Sequence, residues 1–112
     1  MEKDYIIDQV GWHTQIIGNP ESTENTHGRF RSLIEFLQRN DLLRNQLLIG
    51  DAEITDSLCI KVSDLTEEGY YLMKSCYDKW LRGIDNGKSY NDFKVFEKQI
   101  SELRRGKIKL EN

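Results

Sequence analysis

The residues that could carry metal or acid–base chemistry are few in this chain and widely spaced. The histidines and cysteines are His13, His27, Cys59 and Cys76. No two of them stand at the close spacings that zinc knuckles or HExxH helices use. Cys59 and Cys76 are therefore interpreted as small core residues, and neither a metal nor another cofactor is predicted.

The segment from Gly83 to Ser89, GIDNGKS, looks superficially like a phosphate-binding loop. That motif needs four residues between its glycines and a strand before the first one. Here three residues intervene and a helix is predicted upstream, so a turn followed by a helix N-cap explains the segment better. No G-x-S-x-G nucleophile elbow occurs either. We therefore predict that the protein is not an enzyme, and a small enzyme built from scattered residues stays as a third alternative.

Charge is segregated along the chain. Residues 51–68 carry six acidic groups against one lysine, and residues 69–112 carry ten basic groups against six acidic ones. Such a dipolar molecule steers charged partners. The acidic segment is predicted to bind the partner through Asp51, Glu53, Asp56, Asp64, Glu67 and Glu68. The first three are the best candidates, because they are predicted to lie in a loop.

The element that must position three of these six acidic residues is a central helix from Asp64 to Ile84, which gives the strongest helix signal. Asp64 is its predicted N-cap, and Glu67 stands at the capping-box position. Apolar residues at 72, 73, 76, 80 and 84 form one stripe. Small residues recur every seven positions, at 69, 76 and 83, which indicates close approach by another element or, at Gly83, the helix end.

Four further elements are predicted around this helix. Residues 3–17 favour a helix, with a strand as the alternative. A second helix begins at Asn19-Pro20 or at Thr23 and ends near Asn40. Residues 58–62 alternate as a strand and are expected to form a hairpin with residues 46–49. A last helix, capped by Ser89, follows a short turn and therefore runs antiparallel to the central one.

The 112 residues are expected to form a single domain, 1–112, of the mostly helical α+β class. It would contain three to four helices and a small two-stranded β-hairpin. The predicted core residues are Leu33, Leu37, Leu72, Cys76, Trp80, Phe93 and Phe96. The apolar runs are too short for a membrane span, no signal peptide is evident, and a cytoplasmic protein is predicted.

These patterns favour a small acidic domain that binds another protein. Its most concrete form is a bacterial immunity or antitoxin-like inhibitor, whose carboxylates stand in for phosphates in the basic groove of a nuclease-type toxin. The alternative is a nucleic-acid-associated regulator that uses Arg104, Arg105, Lys107 and Lys109, joined by Arg29 and Arg31. The net charge of −3 counts against that alternative.

Overall fold

The computed structural model describes residues 5–14, 22–50, 52–55 and 57–106. Its elements, in chain order, are β1 (Ile6–Gln9), α1 (Gly11–Thr14), α2 (Ser22–Arg39), β2 (Cys59–Lys61), a 3₁₀ turn (Val62–Asp64), α3 (Glu67–Asp85) and α4 (Lys94–Arg104). Within these residues, three long helices pack with one two-stranded antiparallel sheet. The predicted fold class, mostly α with a small sheet, is confirmed.

The core lies between the apolar stripes of the three long helices. Every residue predicted to form it is buried, as are Phe30 and Ile34 on the inner face of α2. Stacked rings connect the helices: Phe93 lies 4.2 Å from Phe36 and 5.5 Å from Trp80 between ring centroids. Rings in such arrangements contribute beyond the area they bury. Helical periodicity therefore predicted the right inner faces for all three helices.

Two contacts establish that α4 runs antiparallel to α3, as predicted. Near the start of α4, the Val95 carbonyl accepts from Cys76 Sγ at 3.6 Å. Near its end, Arg104 approaches Glu68 in the first turn of α3. The predicted start of α4 at Ser89 is wrong. Ser89 Oγ instead accepts from Asn91 N at 3.0 Å in the preceding turn, and the helix begins at residue 94.

The first element differs from the predicted helix over residues 3–17. The described part of that segment is a strand, β1, followed by the single turn of α1. The alternative interpretation as a strand therefore holds for Ile6–Gln9. β-Branched Ile6 and Ile7 favour extended backbone, and Gly11 weakens any helix that would run through it.

The predicted pairing of residues 58–62 with residues 46–49 is also wrong. β2 pairs with β1, in the register Ile6↔Lys61, Asp8↔Ile60 and Gln9↔Cys59, with an irregularity after Ile6. The backbone at 47 and 48 finds another partner, because Gln38 Oε1 accepts from Leu47 N at 3.2 Å and from Leu48 N at 3.1 Å. A side chain of α2 thus satisfies the donors that a hairpin would have used.

Candidate partner-binding surface

The start of α3 is fixed by Thr66 rather than by Asp64, the predicted N-cap. Thr66 Oγ1 accepts from Gly69 N at 3.1 Å and donates to the Leu42 carbonyl at 3.2 Å. A threonine hydroxyl that bonds the third residue of the helix is an ordinary N-cap. The helix consequently begins at Glu67, with its N-cap two residues later than predicted. The same hydroxyl connects it to the segment that follows α2.

Asp64 has an internal role that removes it from the surface. It is 7% exposed. Its Oδ2 accepts from Lys61 N and its Oδ1 from Asn45 Nδ2, both at 2.9 Å. Hydrogen bonds of this kind to a carboxylate are stronger than those between neutral groups. Asp64 therefore joins β2 and the 3₁₀ turn to the segment after α2, and a partner does not reach it.

Glu67 and Glu68 lie side by side in the first turn of α3 but differ in surroundings. The Glu67 side chain is exposed and forms no hydrogen bond or ion pair with any described residue. Glu68 is partly exposed and lies 3.9 Å from Arg104 of α4. Both carboxylates stand where the helix dipole favours negative charge. Glu67 is thus the acid most available to a partner at this end of the helix.

An aromatic ring accompanies these acids. Tyr70 is 39% exposed, one turn after Glu67, and the Lys74 ammonium lies 5.0 Å from the centre of its ring. Tyr70 and Glu67 line a depression of about 320 Å³, together with Arg44, Val62, Ser63, Leu65 and Thr66. We call the exposed group of Glu67, Glu68 and Tyr70 the α3-start surface. Tyrosine is among the residues that are enriched at protein interfaces.

Glu53 is exposed but lies elsewhere. It lines a separate depression with His27, Gly28, Arg31 and Ile54, beside the first half of α2. The α3-start surface lies beyond the other end of α2, where Thr66 contacts Leu42. At 1.5 Å per residue, His27 and the last residue of α2 are about 18 Å apart. Glu53 therefore does not join Glu67 and Glu68 in one patch, and the predicted Asp51 and Asp56 lie outside the described residues.

Of the six basic residues of the alternative hypothesis, three contact other parts of the molecule. Arg29 is buried, and Arg31 donates to the Ala52 carbonyl. Arg104 donates to the Asn40 carbonyl at 2.7 Å, in addition to its approach to Glu68. Arg105 is exposed, whereas Lys107 and Lys109 lie outside the described residues. Arg29, at least, is unavailable to phosphates.

A buried polar cluster joins three elements, and the sequence patterns did not reveal it. Tyr77 of α3 donates its hydroxyl proton to Asp8 of β1, and Arg29 of α2 donates to the Tyr77 oxygen at 3.1 Å. Arg29 also lies 3.9 Å from Asp8. Burial, together with the Asp8 carboxylate, raises the pKa of Tyr77 well above its ordinary value. The one sequence feature that could have indicated this cluster is Asp8, an acidic residue at an inward-facing position of β1.

Cys76 is buried, as predicted for a core residue, whereas Cys59 is only partly buried and does not belong to the core. Cys59 and Cys76 are both free, and burial raises the pKa of the Cys76 thiol. Among the residues that the structure describes, no three His, Cys, Asp or Glu side chains come together as a metal site would require. The side chain of His13 lies outside the described part.

Comparison of the chain with protein-family models, with curated proteins and with solved structures found no match. Across the described residues, no helix combines the length and the apolar character needed to cross a membrane. Function must therefore be inferred from the surfaces themselves.

Proposed function

We propose that this domain acts by binding another protein through the α3-start surface. The observation that carries the proposal is that Glu67 is exposed, without an internal partner among the described residues, beside the exposed ring of Tyr70. Both side chains stand on a helix whose start is fixed by the Thr66 cap. A rigid helix presents its side chains with little loss of conformational entropy on binding.

In its most concrete form, the proposed partner is a basic nuclease-type toxin, and the domain is its immunity or antitoxin-like inhibitor. Glu67 and Glu68 would stand in for the phosphates that the basic groove normally holds. Arg104 approaches Glu68 at 3.9 Å across partly exposed side chains, a geometry that contributes little stability. Glu68 can therefore exchange this contact for one with an arginine or lysine of the partner.

The acidic residues of the loop, Asp51, Glu53 and Asp56, would make a second contact with the same partner. Glu53 is exposed, and Arg31 holds the adjacent Ala52 carbonyl against α2. Because Glu53 and the α3-start surface lie at different ends of α2, a partner that contacts both must span that helix. Asp51 and Asp56 would extend the loop contact. Exchange of Asp51, Glu53 and Asp56 for the neutral amides would then slow association while leaving the α3-start contact in place.

Site-specific crosslinking tests the proposed surface and identifies the partner in one experiment. A photoreactive phenylalanine analogue replaces Tyr70 in one variant and Lys98, an exposed residue of α4, in a matched control. Both are expressed in the native host and irradiated. The position-70 variant is expected to form a covalent adduct with one protein of basic surface, which mass spectrometry identifies.

The control at position 98 shows whether crosslinking is specific to the α3-start surface. Lys98 lies on α4, outside the α3-start surface, so its variant should give no adduct or only a diffuse background. Adduct formation at position 98 and none at position 70 would place the interface elsewhere and contradict the proposal. An adduct at position 70 with a strongly acidic partner would contradict the electrostatic part of it.

A further inference from the structure

A cavity of about 170 Å³ lies between the C-terminal half of α3 and the start of α4. Three lysines line it, Lys79, Lys88 and Lys94, against a single carboxylate, Asp92. Within the described part of the chain, no carboxylate lies within 4.0 Å of any of the three ammonium groups. The lining thus carries unneutralised positive charge, although the chain as a whole is acidic.

The Gly-Lys-Ser segment is what brings Lys88 to this cavity. Gly87 has a φ of 100° and ends α3, with Lys88 N donating to the Gly83 carbonyl at 2.9 Å and Gly87 N to the Ile84 carbonyl at 3.0 Å. This is a Schellman motif, which turns the chain back over the last helical turn. A Cβ on Gly83 would lie 3.2 Å from Lys88 Cδ, so the glycine leaves room for the lysine stem.

The lining also contains one carboxylate, one hydroxyl and one indole ring. Asp92 Oδ1 accepts from Lys94 N at 3.1 Å, at the start of α4. Ser89 Oγ accepts from Asn91 N, which leaves its own proton available to donate. Trp80 also lines the cavity, but it is 3% exposed and its indole nitrogen is itself buried, so this N–H is not a donor to the cavity.

We propose that this cavity binds the phosphate group of a small phosphorylated molecule. Three lysine ammonium groups and the Ser89 hydroxyl can donate hydrogen bonds here. The dianion of a phosphate monoester offers only acceptors together with two negative charges. Cavities for whole drug-sized ligands measure roughly 300–1,000 Å³. This smaller one suits the phosphate group, with the rest of the molecule outside. Side chains from α3, the turn and α4 would hold it, unlike a phosphate loop, which uses backbone N–H groups.

Tryptophan fluorescence gives a local readout. The chain contains two tryptophans, so Trp12→Phe leaves Trp80, inside the cavity wall, as the only one. Inorganic phosphate and, separately, adenosine monophosphate are titrated into this variant at constant ionic strength. We expect at least one of the two compounds to change the Trp80 fluorescence saturably, with a Kd no weaker than about 1 mM. The ratio of the two affinities distinguishes free phosphate from a phosphate ester as the source.

Lysine exchanges show whether the signal comes from the cavity. Lys88→Gln with Lys94→Gln should weaken binding by about tenfold or more, because hydrogen bonds between charged groups are lost. Lys98→Gln makes the same kind of charge change on α4 outside the cavity and should leave Kd unchanged. All these lysines are exposed, so the variants are expected to fold, which circular dichroism checks.

Three results would overturn the proposal. The first is no saturable change with either compound. The second is equal weakening by the Lys98 exchange and by the cavity exchanges, since the effect would then be one of net charge. The third is that a single-stranded oligonucleotide binds more tightly than adenosine monophosphate, with an affinity that increases with oligonucleotide length. The cavity would then be part of a nucleic-acid-binding surface.

Discussion

At the scale of single residues, the hydroxyl of Tyr77 connects the buried Asp8 carboxylate with the buried Arg29 guanidinium, which lie 3.9 Å apart. Tyr77→Phe removes the donor to Asp8 and the acceptor for Arg29, so we expect the free energy of unfolding to fall by about 2 kcal/mol. Urea denaturation measures it. Tyr70→Phe is the matched control, because that exposed side chain has no described hydrogen bond, and its effect should stay within about 0.5 kcal/mol.

The loss of stability caused by Tyr77→Phe is also expected to depend on pH. The pKa of Tyr77 is raised in the folded state, so the folded protein holds the phenolic proton more tightly than the unfolded chain does. This contribution is complete below the ordinary tyrosine pKa of about 10 and is lost as the pH rises above it toward the folded pKa. The difference in stability between the wild type and Tyr77→Phe should therefore shrink above pH 10. Equal effects of the two phenylalanine variants at every pH would contradict this role for the cluster.

At the scale of elements, Gly69 allows α3 to pack directly on the chain that leaves α2. A Cβ at this position would lie 2.4 Å from the Leu42 carbonyl oxygen, a backbone atom that cannot move aside. Gly69→Ala should therefore destabilise the protein by about 1–3 kcal/mol, although alanine favours a helix by up to about 1 kcal/mol. Thermal and urea unfolding test the sign.

Gly83→Ala is the control for this prediction within the same helix. Its Cβ would meet only the flexible stem of Lys88, at 3.2 Å. The change should be neutral or stabilising by less than about 1 kcal/mol. If Gly69→Ala and Gly83→Ala destabilised the protein equally, close packing at Gly69 would not be the reason for the small residues in this helix.

Elements whose contacts follow their own periodicity could be predicted from the sequence. The buried face of α2, the buried face of α4 and the antiparallel arrangement of α3 and α4 all depend on the spacing of nearby residues in the sequence. The pairing of β1 with β2 could not be predicted, because about fifty residues separate the two strands and short apolar runs fit several partners. Asp64 and Thr66 are both good capping residues, and only the tertiary contact with Leu42 decides between them.

At the scale of the whole molecule, folding redistributes the charges that are segregated along the chain. Arg104 of the basic segment returns to Glu68 of the acidic one, and Arg29 enters the core. A linear charge count could indicate a dipolar molecule, but it could not show which carboxylates keep a free surface. Of the predicted site residues, Asp64 is internal, whereas Glu53 and Glu67 remain exposed at different ends of α2. The proposed binding surface therefore depends most on Glu67.

The salt dependence of association measures the role of Glu67 most directly. The partner captured through position 70 is mixed with the wild type, with Glu67→Gln and with Glu97→Gln over a range of ionic strength. Glu97 is an exposed acid in the first turn of α4, beside the other half of α3, so its exchange makes the same charge change away from the surface. We expect Glu67→Gln to lower the association rate severalfold and to flatten its salt dependence, because steering acts on the on-rate. Identical rates and salt slopes for the two variants would contradict the proposed surface.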